Sequence, residues 1–293
     1  MPSYLMTSSL PTISIVTPSF NQGRFVAQTA RSVFLQRYPK LEYVMMDGGS
    51  TDGTAKALEP YCSRFHHYVS EKDDGQADAI RRGFEHTTGE IMAYLNSDDV
   101  LAPGCLNFVA AYFQAHPRVD AIYSHRVIVN EGNIVIGYWI LPGHRNRLMM
   151  RWDLIPQETC FWRRRLYEKV GGVDASYRFA MDYDLFTRFM LHGRMRRVRR
   201  FLGAFRMHND SKSVQQLETI GKEEIKRVGE KYNIRYSRFD KLRGPMFTGR
   251  VRARAAFHAR SGRTLPGALG GTGYDYDDVW GGMLSDTRLP VAE

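Results

Sequence analysis

Apolar residues recur along the first hundred positions in short blocks separated by polar, turn-rich stretches. Thr12–Thr17 is a β-branched apolar run ending at Pro18, the pattern of a short buried strand. Between Gly23 and Gln36, Phe25, Val26, Ala30, Val33 and Phe34 fall near helical spacing. Leu41–Met46 is a second strand pattern, closed by the turn Asp47-Gly48-Gly49-Ser50-Thr51-Asp52-Gly53. A helix is expected over Thr54–Ser63, a strand over His67–Ser70, a helix over Gly75–His86 and a strand over Glu90–Leu95. This alternation predicts a parallel α/β sheet with helices on its faces. Ligands bind such sheets at the carboxyl ends of the strands. Here those ends are Pro18–Asn21, Asp47–Asp52, Glu71–Gln76 and Asn96–Asp99, all four polar.

Beyond Asp99 the rhythm changes. Pro103–Ala115 reads as a helix, with Pro103 near its start, where a missing N–H costs little. Ala121–Val129 and Ile134–Leu141 flank Asn130-Glu131-Gly132-Asn133 as a hairpin. A strand at Glu158–Trp162 and a short helix at Arg165–Val170 follow, then a helix over Asp182–Leu191. Gly262–Gly282 carries seven glycines, the composition of a flexible tail.

Composition is that of a folded chain: 43% hydrophobic and 12% aromatic over 293 residues exclude disorder throughout. The net charge of +10 suggests a polyanionic partner until it is located along the chain. Residues 1–193 hold 20 basic and 20 acidic side chains, whereas residues 194–263 hold 20 and 6. The surplus therefore belongs to a C-terminal arm, and the globular body is neutral. Three scattered cysteines argue against a disulfide framework or a zinc site. No leader-like start and no apolar run near the roughly 20 residues of a membrane span are seen, so a cytoplasmic protein is expected.

The strand ends carry the candidate chemistry. Asp98 and Asp99 are adjacent carboxylates that either form a solvated turn or helix cap, or hold a hard cation such as Mg²⁺ or Mn²⁺. Asp47 either bonds its own turn or accepts an N–H from a nucleobase. Asp52 is expected to hold the turn or cap the next helix. Asp182 and Asp184 open an amphipathic helix; one cap explains one of them, and the other is a candidate general base. His208 is a metal ligand, a phosphate contact or a structural histidine.

Together these segments resemble the family 2 glycosyltransferases of the GT-A fold, the type that builds bacterial surface polysaccharides. The resemblance is carried by Ile15-Val16-Thr17-Pro18-Ser19-Phe20-Asn21, Asp47-Gly48-Gly49-Ser50-Thr51-Asp52-Gly53-Thr54, Asp74-Gly75-Gln76-Ala77-Asp78-Ala79, Gly89-Glu90-Ile91, Asn96-Ser97-Asp98-Asp99 and Met181-Asp182-Tyr183-Asp184-Leu185. It covers about two-thirds of the chain and implies a mostly parallel twisted sheet flanked by helices; the basic C-terminal helical extension expected after it is read from the charge distribution. Its glycosyltransferase domain would span 1–210, with a nucleotide-sugar half at 12–100 and an acceptor half at 101–210. The basic extension would then occupy 211–263 and the glycine-rich tail 264–293. By the same resemblance Pro18, Ser19, Asn21 and Gln76 lie along the nucleotide-sugar, Asp47 reads the base and Asp78 helps to hold the donor. Asp98 faces ribose or sugar, Asp99 binds Mn²⁺ or Mg²⁺ directly with His208 as a further ligand, and Asp182 is the catalytic base. The acidic residue that often precedes that base is Met181 here.

The implied reaction is inverting transfer from a nucleotide-sugar, a UDP-sugar being favoured, to a hydroxyl of a saccharide or lipid-linked saccharide. The arm's arginines would then rest on an anionic membrane surface, making the enzyme peripheral on the inner face of the cell membrane. A sugar-nucleotide nucleotidyltransferase would need a Gly-rich basic phosphate loop after the first strand, where Pro18-Ser19-Phe20-Asn21 stands. A nucleic-acid-binding protein is the other alternative, but no binding motif accompanies Arg194–Arg200 or Arg250–Arg263, and no nucleic acid partner is expected.

Overall fold

The computed structural model describes residues 10–209, 211 and 216–235. Arg250–Arg263 and the glycine-rich tail lie outside the described residues. Four strands, β1 (Ile13–Ser19), β2 (Leu41–Asp47), β3 (His67–Ser70) and β4 (Ile91–Tyr94), alternate with α1 (Val26–Phe34), α2 (Thr54–Leu58) and α3 (Gln76–Glu85). All pair in parallel, in the order β3-β2-β1-β4. The second half adds β5 (Val100–Leu101), α4 (Cys105–Ala115), β6 (Ala121–Val129), β7 (Val135–Trp139), α5 (Asn146–Trp152), β8 (Phe161–Arg163), α6 (Arg164–Lys169), α7 (Met181–His192), β9 (Met195–Arg206) and α8 (Lys222–Lys231). One nine-stranded sheet results, with β4-β8-β6-β9-β5 continuing the first four strands and β7 paired to β6.

Every residue of β1 is buried, because helices cover both faces of the sheet. Its alternation feeds two cores. Val16 joins Val44, Ile80 and Phe84 on the α3 side, while Ile13 and Ile15 join Val33, Leu106 and Val109 on the α1 and α4 side. Trp162 of β8 is fully buried against the rings of Phe84, Tyr94, Tyr167, Phe186 and Phe189, which ties the two halves of the sheet together.

Two features of the second half matter for the site. Residues 195–206 of the basic arm form β9, which lies inside the sheet parallel to β6. Met195, Val198, Phe201, Leu202 and Ala204 are buried there, while Arg194, Arg196 and Arg199 stay exposed. The register shifts against β6 on either side of His125, which breaks the period-two signal. Farther on, α8 sets Val228 into the main core cluster beside residues of α7.

Candidate active site

The carboxyl ends of β1, β2 and β4 open into one cavity of about 640 Å³. Pro18, Ser19, Phe20, Gln22, Gly48, Lys72, Asp73, Gln76, Asn96 and Asp98 line it from the first half of the sheet. Arg126, Trp139, Asp153, Phe179, Asp182 and Phe205 line it from the second. Ser19 Oγ and Tyr94 OH, both on residues of this lining, are buried without a hydrogen-bond partner among the described residues. A buried polar atom without a partner is costly, and a bound polar ligand relieves it.

The turn after β2 is pinned from several sides. Asp52 accepts the N–H of Thr54 at 3.1 Å and of Gly23 at 2.9 Å, which is the turn-holding role expected of it. Asn21, at φ 52°, accepts the N–H of Thr51 at 2.9 Å. Gly48 faces the carboxylate of Asp73 so closely that a Cβ there would stand 2.9 Å from Oδ2.

Asp98 reaches the cavity, and its Oδ2 lies 3.0 Å from Nε2 of His208. The His208 side chain is fully buried against Phe25, and its Nδ1 has no partner among the described residues. Asp99 is 1% exposed and turns the other way, accepting the Arg206 backbone N–H at 3.0 Å. Burial, then the neighbouring Asp98, pushes the Asp99 carboxyl well above its ordinary range. Arg206 binds this corner together: its guanidinium donates to the Asp98 carbonyl at 2.8 Å and to Gln28 at 2.9 Å, and it lies over the Phe25 ring.

Asp182 sits in the first turn of α7, its Oδ1 accepting the N–H of Tyr183 at 2.9 Å. Asp153 stands exposed in the same cavity. Surrounding protein, then the Asp182 carboxylate, push its carboxyl above the ordinary range, and the Arg126 guanidinium opposes them. Asp184, two residues beyond Asp182, is structural. It is fully buried and accepts from Arg188 at 2.6 Å, Lys231 at 2.9 Å and Tyr232 at 2.8 Å.

Residues 14–171 match the family model for glycosyl transferase family 2. The chain belongs to that family. The glycosyl transferase is 30% identical over 178 residues to the PGL/p-HBAD biosynthesis glycosyltransferase of Mycobacterium bovis, a match covering 59% of this chain and 68% of the relative. Among solved structures it is similar to Staphylococcus aureus TarS 1–349 in complex with UDP-GlcNAc (TM-score 0.59, 16% identity), over 70% of this chain and 61% of that one. It is also similar to the mannosyltransferase PcManGT of Pyrobaculum calidifontis in complex with GDP-Man and Mn²⁺ (TM-score 0.55, 19% identity), over 89% and 78%. The fold is the GT-A fold, and the protein is a glycosyltransferase.

The family-derived residues divide on placement. Pro18, Ser19, Gln76, Asp98 and Asp182 of this glycosyl transferase line one cavity; Asn21, Asp47, Asp78, Asp99 and His208 do not. Asp47 is engaged by Ser50 N–H at 3.1 Å and Ser70 Oγ at 2.6 Å, the turn-forming alternative. Asp78 pairs with Arg81 at 2.8 Å along α3. Asp99 was expected to bind the ion directly, but its burial against β9 leaves Asp98 as the carboxylate at the cavity. Lys72 comes from the strand-end run Glu71–Gln76; Arg126, Trp139, Asp153, Phe179 and Phe205 were not singled out by the sequence, because sheet pairing and loop folding bring them in from separate segments.

Proposed function

We propose that this glycosyl transferase moves a sugar from a nucleotide-sugar to a hydroxyl of a saccharide or lipid-linked saccharide, inverting the anomeric centre. The observation that carries the reading is that Asp98 and Asp182, from strand ends and helix start far apart in sequence, face one cavity. The neighbours in complex with UDP-GlcNAc and with GDP-Man and Mn²⁺ support a nucleotide-sugar donor, with a UDP-sugar favoured.

Pro18, Ser19, Phe20, Gly48, Lys72 and Gln76 form the donor end, where Ser19 Oγ and the Lys72 ammonium suit a diphosphate. A divalent cation fits beside Asp98. A carboxylate oxygen and an imidazole nitrogen stand 3.0 Å apart, a donor set suited to Mn²⁺, while Mg²⁺ favours oxygen ligands. Among the described residues no group of three His, Cys, Asp or Glu side chains forms, so diphosphate oxygens and water would complete the shell. When bound, such an ion neutralises charge on the leaving diphosphate. Asp182 takes the proton from the acceptor hydroxyl as that oxygen attacks the anomeric carbon from the face opposite the diphosphate. The apolar wall of Met181, Phe179 and Ile155 limits water at the attack position.

The anionic-membrane reading is supported by the exposed Arg194, just before β9, and Arg196 and Arg199 within it, and among the described residues no helix is long and apolar enough to cross a membrane. Binding to anionic liposomes that survives neutralising these three arginines counts against it. For the reaction itself, Asp182→Asn should leave nucleotide-sugar affinity within about twofold while transfer falls roughly 10²–10⁴-fold. Unchanged transfer by that variant overturns the assignment.

A further inference from the structure

One wall of the cavity is built from three strands and carries none of the residues assigned to the donor end. Arg126 of β6 and Trp139 of β7 are direct cross-strand partners. Phe205 of β9 stands two residues beyond Gly203, the β9 partner of Arg126, so strand alternation puts all three side chains on one face. The guanidinium carbon lies 4.8 Å from the Trp139 ring centroid and 4.6 Å from that of Phe205. From behind, the buried Glu158 accepts Nε of Arg126 at 2.8 Å and Nη2 at 2.7 Å, a two-pronged ion pair.

This construction selects its occupant. Glu158 already neutralises Arg126 along its hydrogen-bonding edge, so the arginine is a poor phosphate site and acts as a spacer between two rings. Trp139 and Phe205 are only half-buried and border the cavity. Aromatic surface edged by the Asp153 and Asp182 carboxylates matches a pyranose, which has an apolar C–H face and a rim of hydroxyl donors. A lipid chain would find no use for the two carboxylates.

We propose that Trp139, Arg126 and Phe205 form the acceptor subsite, a platform on which a pyranose ring stacks with one hydroxyl toward Asp182 and a neighbouring hydroxyl on Asp153. The inference rests on the glycosyl-transfer reading and adds to it the residues that hold the acceptor and the way it is held, through the apolar face of its ring.

The test uses the full-length protein and methyl pyranosides of glucose, galactose, mannose and N-acetylglucosamine. Saturation-transfer NMR is recorded with and without UDP and Mn²⁺, and UDP-sugar binding with Mn²⁺ is measured alongside. In the wild type, ring C–H protons of at least one glycoside should receive saturation. Trp139→Ala should weaken that binding roughly tenfold, about 1.4 kcal/mol, with UDP-sugar affinity unchanged, while Trp139→Phe keeps most of it. Three results overturn the proposal: no glycoside binding by the wild type, binding indifferent to Trp139→Ala, or loss of UDP-sugar affinity in a folded Trp139→Ala protein. Glycoside binding through Trp139 with no affinity for any sugar-nucleotide would sink the transfer reading and leave the platform standing.

Discussion

The carboxylate of Glu224 accepts the backbone N–H of Ala180 at 2.9 Å, and those of Arg178 and Phe179 at 2.9 and 2.8 Å. Glu224 belongs to α8, outside the 14–171 segment matched by the family model, and Ala180 immediately precedes the helix that carries Asp182. A single carboxylate thus satisfies three amide donors of the turn into α7. Lys231 and Tyr232 hold Asp184 from the other end of the same helix.

Glu224→Ala leaves those amides without that acceptor, so stability should fall by about 2–4 kcal/mol. Transfer should fall more than donor affinity, because the loosened turn is the one that aims Asp182. Steady-state kinetics with kcat and donor KM separated check this; a matched loss in both would mean that the clamp only supports the fold.

The same contact sets a pH dependence. Burial pushes Glu224 upward, but the three N–H donors outweigh it and hold the carboxyl below its ordinary value of 4.5. A carboxyl lowered in the folded state stabilises above that ordinary value, and the benefit disappears as pH falls through the folded value. Melting temperature should therefore drop on acidification below about pH 4.5 in the wild type. In Glu224→Gln that acid limb should be shallower, and an identical limb in both proteins would assign it to other carboxylates.

Asp98 and Asp99 are neighbours with opposite surroundings, and the two variants should separate cleanly. Asp98→Asn should abolish the Mn²⁺-dependent gain in donor affinity, measured by calorimetry with and without the ion. Asp99→Asn retains an oxygen able to accept the Arg206 N–H and replaces a carboxyl already driven toward its neutral form. It should keep Mn²⁺-dependent binding within a few-fold. The reverse result would return the ion to Asp99.

Phe20 is 61% exposed at the cavity lining, a large apolar ring that packs against nothing in the core. Exposed aromatic rings beside nucleotide sites stack bases, worth about 1–3 kcal/mol each. Phe20→Ala should weaken nucleotide-sugar binding roughly tenfold with almost no change in melting temperature. Equal affinity in the variant would make Phe20 a bystander.

The donor half was legible because its signals are local. Strand ends, the Gly-rich turn after β2 and the Asp98 motif each sit within a few residues, and the short apolar runs match strands buried throughout β1 and over the last five residues of β2. The second half was harder, since arginines interrupt the apolar positions of β9 and its register shifts against β6 on either side of His125. Short α5, in the charged stretch His144–Trp152, gave no periodic signal. Arg126, Trp139 and Phe205 meet only after three strands pair, and no spacing in sequence announces a register. Glu224 carries no motif of its own in the sequence; its role is set by where α7 begins.

Gly48 tests how tightly the donor end is built. Its backbone is not in the left-handed region, unlike Gly49 at φ 79°, so alanine is conformationally acceptable and the objection is spatial. A Cβ would stand 2.9 Å from Oδ2 and 3.2 Å from Cγ of Asp73, whose other oxygen accepts the Gly75 N–H at 2.8 Å. That bond restrains Asp73 from swinging away, and Gly75 itself sits at φ 107°, immediately before α3. Gly48→Ala should then cost about 1–3 kcal/mol of stability, as overpacking does. It should also weaken nucleotide-sugar binding by displacing Asp73, Gly75 and Gln76 together. In an Asp73→Ala background the three atoms nearest the added methyl are gone, so the stability cost of Gly48→Ala should shrink. A double-mutant cycle reads this directly. A cost that is the same in both backgrounds would show that Gly48 is required for a reason other than the approach of Asp73.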